Sequence, residues 1–127
     1  IYLGVCLLPI ALFRAVTILR AKIPAIVPQP PTWQMRITKL MKVYLYVLMI
    51  GAPLIGWIMV NAEGHVVSLW GLALPSLVSE SESLAGLASE AHEVLGISGY
   101  FFIAIHAFAA LYHHYLVKDN TLKRMLP

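Results

Sequence analysis

Residues 90–119 read E-A-H-E-V-L-G-I-S-G-Y-F-F-I-A-I-H-A-F-A-A-L-Y-H-H-Y-L-V-K-D. About 20 apolar residues, rising about 1.5 Å each, cross the hydrocarbon of a bilayer, and this run is long and apolar enough to do so. It also carries His92, His106, His113 and His114. An ionisable group at membrane depth is costly, so each one found there is a functional hypothesis. His92 and His106 stand 14 residues apart. On a helix that interval is a rise of about 21 Å and a rotation about 40° short of whole turns. Both imidazoles therefore leave one face, near opposite membrane surfaces. Gly96, Gly99 and Ala110 share that stripe, and small residues let a flat macrocycle approach the backbone. The pattern is that of two haems stacked across a membrane, each held by an imidazole.

A plainer reading stands beside it. One histidine on a transmembrane helix can simply hydrogen-bond a neighbouring helix. Two on one face, with glycines between them, favour haem. His113 and His114 lie at the helix end beside Lys118 and Asp119, where a histidine is more often merely solvated. These four residues form a candidate quinone or proton site and nothing sharper.

Composition agrees with a membrane protein. The 127 residues are 60% hydrophobic and 12% charged, with a mean hydropathy of +0.80; a soluble domain carries about twice that charge. The single Cys6 excludes an internal disulfide. The net charge of +3 raises the question of nucleic acid, and the distribution of charge answers it. Apart from Arg14, the basic residues gather in or beside the first connector and in the tail, whereas Glu63, Glu80, Glu82, Glu90 and Glu93 lie in or beside the second connector. Basic residues orient membrane helices, so the first connector and the tail are expected to be cytoplasmic and the acidic connector outside. Nothing supports nucleic acid as a partner; membrane lipid is the expected surrounding.

The expected architecture is all-α, with three transmembrane helices that form part of a four-helix haem-binding bundle. The spans fall at about 1–21, 38–60 and 91–117, with a cytoplasmic loop at 22–37, an outer loop at 61–90 and a cytoplasmic tail at 118–127. Pro9 kinks the first span, which membrane helices tolerate. Arg14 lies inside it and is expected to snorkel to the cytoplasm or to meet a haem propionate. Residues 23–37 carry four prolines and read as a stiff extended connector, with Trp33 anchored at the headgroups. Gly51, Pro53 and Gly56 allow a bend and close helix contact in the second span, which has no histidine. In the outer loop, V-V-S-L-W-G-L-A-L at 66–74 is too short to span and is expected to lie in the interface. His65 reads as an exposed loop residue. The sequence starts without methionine or a signal segment, and reads as cut at its N-terminus.

The run H-H-Y-L-V-K-D-N-T-L-K-R-M-L-P from His113 to Pro127 resembles the C-terminal signature of bacterial cytochrome b561 proteins. Ala91–Glu93 and Ile105–Ala107, A-H-E and I-H-A, are similar to the sequences around that family's two ligands on its last helix. The Gly4-to-Arg14 spacing and the proline-rich connector resemble its second helix and following loop. The resemblance implies a quinone-linked membrane cytochrome with two haem b groups, four helices and the inner membrane as its place. Electrons would pass from an outer-face donor, superoxide in the best-defined activity, to ubiquinone in the respiratory chain, making the protein a superoxide:ubiquinone oxidoreductase. It implies His92 and His106 as iron ligands, with Gly96, Gly99 and Arg14 near the cofactor.

Two departures qualify it. The family's first helix, with one haem histidine, has no counterpart here. Its second-helix ligand corresponds to the position immediately before Ile1. His92 and His106 cannot share one iron at about 21 Å, so both partner imidazoles are expected from a missing N-terminal helix or another subunit. Some members carry a histidine where this chain has Lys42, and that position is given no ligand role. The rival reading is a haem-depleted accessory or scaffold subunit of a respiratory membrane complex.

Overall fold

The computed structural model describes residues 2–21 and 29–120. Three helices dominate it: α1 over Tyr2–Arg20, α2 over Thr32–Ala62 and α3 over Glu82–Tyr112, the last continued by a π-helical turn, His113–Val117. Each is long and apolar enough to cross a membrane. Large side chains such as Leu3, Phe13, Tyr100 and Phe108 point outward from them. That is how helices look when lipid, not protein, covers most of their surface.

The helices overrun the spans the sequence suggests. α2 starts at Thr32, six residues before 38. Pro31 is its N-cap with φ −54° and ψ 150°, and its carbonyl accepts from Met35 N–H at 3.1 Å. The helix thus starts directly after the last proline, and Trp33 is helical; residues 22–28, with the rest of the connector expected to be extended, lie outside the described part. α3 starts at Glu82, well before 91. Ser81 adopts extended backbone and its Oγ accepts from Leu84 N–H at 3.4 Å, a side-chain cap on an otherwise unsatisfied donor. Glu82 adds negative charge to the first turn, where the helix dipole favours it.

The segment expected to lie in the interface forms a small hairpin. β1 (Ser68–Leu69) pairs antiparallel with β2 (Leu72–Ala73). Trp70 and Gly71 turn between them with φ 50° and 84°, the two positive angles of a type I′ turn. Trp70 is 86% exposed at the tip. Asn61, buried at the end of α2, ties the connector down: its Nδ2 donates to His65 O at 3.0 Å and its Oδ1 accepts from Leu77 N–H at 2.9 Å. His65 itself is exposed, 4.0 Å from Glu63.

α2 is the middle helix, packed against both others, while α1 and α3 touch little among the described residues. Gly4 of α1 lies against Pro53 of α2, which a Cβ on Gly4 would meet at 3.6 Å. The α2–α3 seam is an antiparallel ladder: His92 beside Ala52 and Gly56, Gly99 beside Leu48, Ser98 and Phe102 beside Tyr44, and His113 beside Gln34. Tyr44 Oη donates to Ser98 Oγ at 2.7 Å, and its ring meets Phe102 at 4.5 Å between centroids. Every candidate histidine thus sits at a defined height along α2.

Candidate functional site

The face of α3 that runs through His92, Gly96, Gly99, His106, Ala110 and His113 is half-buried or buried, between lipid-facing neighbours. At its upper end the His92 ring lies in the seam with Nδ1 3.0 Å from Ala52 O. Ala52 O can only accept, so Nδ1 carries the proton and Nε2 is left as a lone-pair donor. Gly56 makes the seat: a Cβ there would stand 3.1 Å from His92 Cε1, tighter than most packed contacts, so the ring would have to give way. The sequence suggested only a bend and close helix contact at Gly56. The one signal for its role is a small residue, and recognising it requires the register between two helices. Metal-bound histidines commonly donate their other ring nitrogen to a carbonyl in this way, which fixes the tautomer and aims the ligand nitrogen.

The two glycines of the stripe differ. A Cβ on Gly96 would meet nothing within 4 Å, whereas one on Gly99 would stand 2.9 Å from a Leu48 methyl. Gly99 admits α2; Gly96 leaves open space. His106 is half-buried and has no hydrogen-bond partner among the described residues. Near its height an apolar cavity of about 220 Å³ opens in the seam, lined by Ile37, Leu40, Met41, Tyr44 and Phe102. Arg14 is exposed on α1 and likewise has no partner among the described residues.

Beyond His106 the four terminal candidates separate. His113 Nδ1 is 2.6 Å from Asp119 Oδ2, and its Nε2 is 2.7 Å from Gln34 Nε2. The Gln34 amide donates to Nε2 and the imidazole donates from Nδ1 to the carboxylate. Gln34 is a member that sequence reasoning missed. Lys118 is exposed and contributes through its backbone: φ 55° turns the chain so that Asp119, only 6% exposed, returns to His113. His114 lies apart, its ring edge-on to Tyr115, with Nδ1 buried and unpartnered among the described residues. Trp57 Nε1, beside Gly56, is the other buried polar atom in that condition.

The family model described as prokaryotic cytochrome b561 matches residues 1–127. The chain belongs to the prokaryotic cytochrome b561 family. It is 42% identical over 104 residues to cytochrome b561 homolog 1 of Escherichia coli, a match covering 82% of this chain and 59% of that protein. It is 35% identical over 124 residues to the probable superoxide oxidase CybB of Yersinia pestis, covering 98% and 70% respectively. A third relative, cytochrome b561 homolog 2 of Escherichia coli, is 34% identical over 83 residues, covering 65% and 44%. The matches thus span between 44% and 70% of these relatives' lengths. Membership supports membrane electron transfer by a cytochrome b, with b-type haem as the cofactor.

The residues fit such a group. Among the described residues no cluster of three or more His, Cys, Asp or Glu could cage a bare metal ion, and haem asks only for axial donors. His92 offers Nε2 with its tautomer fixed, Gly96 leaves space beside the helix, and His106 lacks any competing partner. The orphaned Trp57 Nε1 marks surroundings that nothing in the described chain completes.

Proposed function

We propose that this b561 chain carries electrons across the inner membrane of a bacterium through two b-type haems, one at His92 and one at His106. The seating of His92 carries the reading: Ala52 O holds Nδ1 at 3.0 Å, Gly56 makes room for the ring, and Nε2 is left to ligate. Haem, when bound, supplies a centre that takes up and releases one electron at a time. The chain's own work is ligation, spacing and surroundings. The interval of about 21 Å along α3 supports two separate haem sites, one towards each face of the membrane. Under this reading a second imidazole for each haem would come from a preceding helix or from another subunit. The N-terminal end of α1 packs at Pro53, next to the Ala52 that holds His92, so a ligand just before Ile1 would stand at His92's height.

The relative named as a probable superoxide oxidase favours superoxide as the outer donor; the acceptor in this reading is a quinone, ubiquinone. Two superoxides each give up one electron and leave as dioxygen. One quinone takes both electrons and two protons to become the quinol. The His113–Asp119 pair, with Gln34, stands about 10 Å along α3 from His106 and is suited to passing protons there. With the tail and first connector basic, the C-terminus is cytoplasmic.

The test is a visible spectrum and haem count of the native protein purified from membranes. Two haems per chain with a reduced b-type spectrum are expected. A haem-free protein would end this reading and leave an accessory or scaffold role.

A further inference from the structure

A groove of the described residues lies outside the imidazole stripe. It measures about 550 Å³ between α1 and α2, and Ile18, Val43, Val47 and Ile50 line it, with Lys39 and Lys42 at one end. Its position around α2 follows from helix geometry. Tyr44, Leu48, Ala52 and Gly56 face α3. Pro53, which faces α1, lies about 120° further round, and the groove positions Lys39, Val43 and Ile50 roughly another 60° beyond it, at about 100° per residue. The groove is therefore on the outer side of the α1–α2 pair, turned away from His92 and His106.

We propose that this groove binds one anionic phospholipid, its acyl chain along the apolar wall and its phosphate between Lys39 and Lys42. Three observations carry it. The wall is apolar, which suits a hydrocarbon chain and offers a sugar or nucleotide nothing. Lys39 and Lys42 lie one helical turn apart, on one side, so two ammonium groups reach a single headgroup. Neither lysine has an acidic partner among the described residues. Lys42 stands about 15 Å into α2 from Thr32, at a depth where a lysine extends its stem to the headgroup layer, and basic pockets between transmembrane helices are known hosts for acidic lipid heads. A zwitterionic headgroup offers a phosphate too, but brings its own ammonium beside the two lysines and so gains less from them.

The experiment is native mass spectrometry of the detergent-purified protein, incubated with phosphatidylglycerol or with phosphatidylcholine of the same acyl chains. The wild-type chain is expected to retain phosphatidylglycerol at least about fivefold better, an advantage that shrinks as salt rises. Lys39→Gln/Lys42→Gln removes that preference. Gly51→Leu fills the groove from its wall; a Cβ at Gly51 meets nothing within 4 Å, so the helix accepts it. It should lower retention of both lipids while leaving both lysines in place. Helicity and any haem absorbance should be unchanged in both variants. Equal retention of the two lipids by the wild type would overturn the proposal, as would a preference that survives the double substitution. So would displacement of phosphatidylglycerol by ubiquinone, or a shifted haem spectrum in the variants, since the groove would then belong to the redox site. Haem is not needed for lipid retention, so failure of the electron-transfer reading would leave this result standing.

Discussion

The seam between α2 and α3 is closed around His92 and open near His106, although both histidines lie on one face of one helix. At His92 the middle helix contributes a carbonyl at Ala52 and a missing side chain at Gly56, one turn apart, and the ring drops between them. A carbonyl has two lone pairs, so Ala52 O can serve α2 and His92 together. The register of the ladder brings His106 opposite Met41; the nearby hydroxyls of Thr38 and Tyr44 donate to Gln34 O and Ser98 Oγ instead, and the adjoining space is the apolar cavity under Phe102. The chain holds the His92 ring from two sides and leaves His106 without a hydrogen-bond partner among the described residues. Identical residue types at one helical interval therefore do not make equivalent sites; what α2 places opposite decides.

Changes at the closed end should do the most. Gly56→Val puts branched carbon where the His92 ring lies, and should cost about 1–3 kcal/mol by overpacking, seen as a lower melting temperature of the purified protein, together with loss of the nearby haem signal. Gly99→Ala comes next. Its Cβ meets the far end of Leu48, which can yield, so the cost should be about 1 kcal/mol and Leu48→Ala in the same chain should relieve it. A double-mutant cycle by thermal unfolding in detergent measures that relief. Tyr44→Phe removes the hydrogen bond to Ser98, worth about 0.6 kcal/mol between membrane helices, and the same unfolding assay reads it. Gly96→Ala should be the one change that does not destabilise the fold, stabilising the haem-free chain by less than about 1 kcal/mol through helix propensity. In the haem-loaded protein it should lower cofactor retention, because the added methyl occupies the open space. That change of sign separates Gly96 from Gly99.

Much of this was legible in the sequence. Three long apolar runs and segregated charge are enough for a membrane bundle, and the 14-residue interval puts His92 and His106 on one face. The helix starts were not. Four prolines suppress any reading of helix before residue 38, yet only the last, Pro31, borders α2, and a proline is a compatible residue at that boundary. Ser81 resembles any other serine of S-E-S-E-S until its Oγ is seen on Leu84 N–H. Trp70–Gly71 gives little notice of a type I′ turn, because tryptophan seldom takes positive φ. Gly56 and Gln34 were missed for another reason. Their roles depend on which residues of α3 stand opposite, and register is a property of two helices that neither run shows alone.

The claim that His92 and His106 each hold a different haem is tested most directly by redox titration of haem absorbance in the native protein and in His92→Ala and His106→Ala. The account predicts two transitions in the wild type, with a different one lost or displaced in each variant. If either substitution leaves both transitions unchanged, that histidine is not a ligand, and for His92 the seat at Ala52 and Gly56 would be a helix-packing contact only.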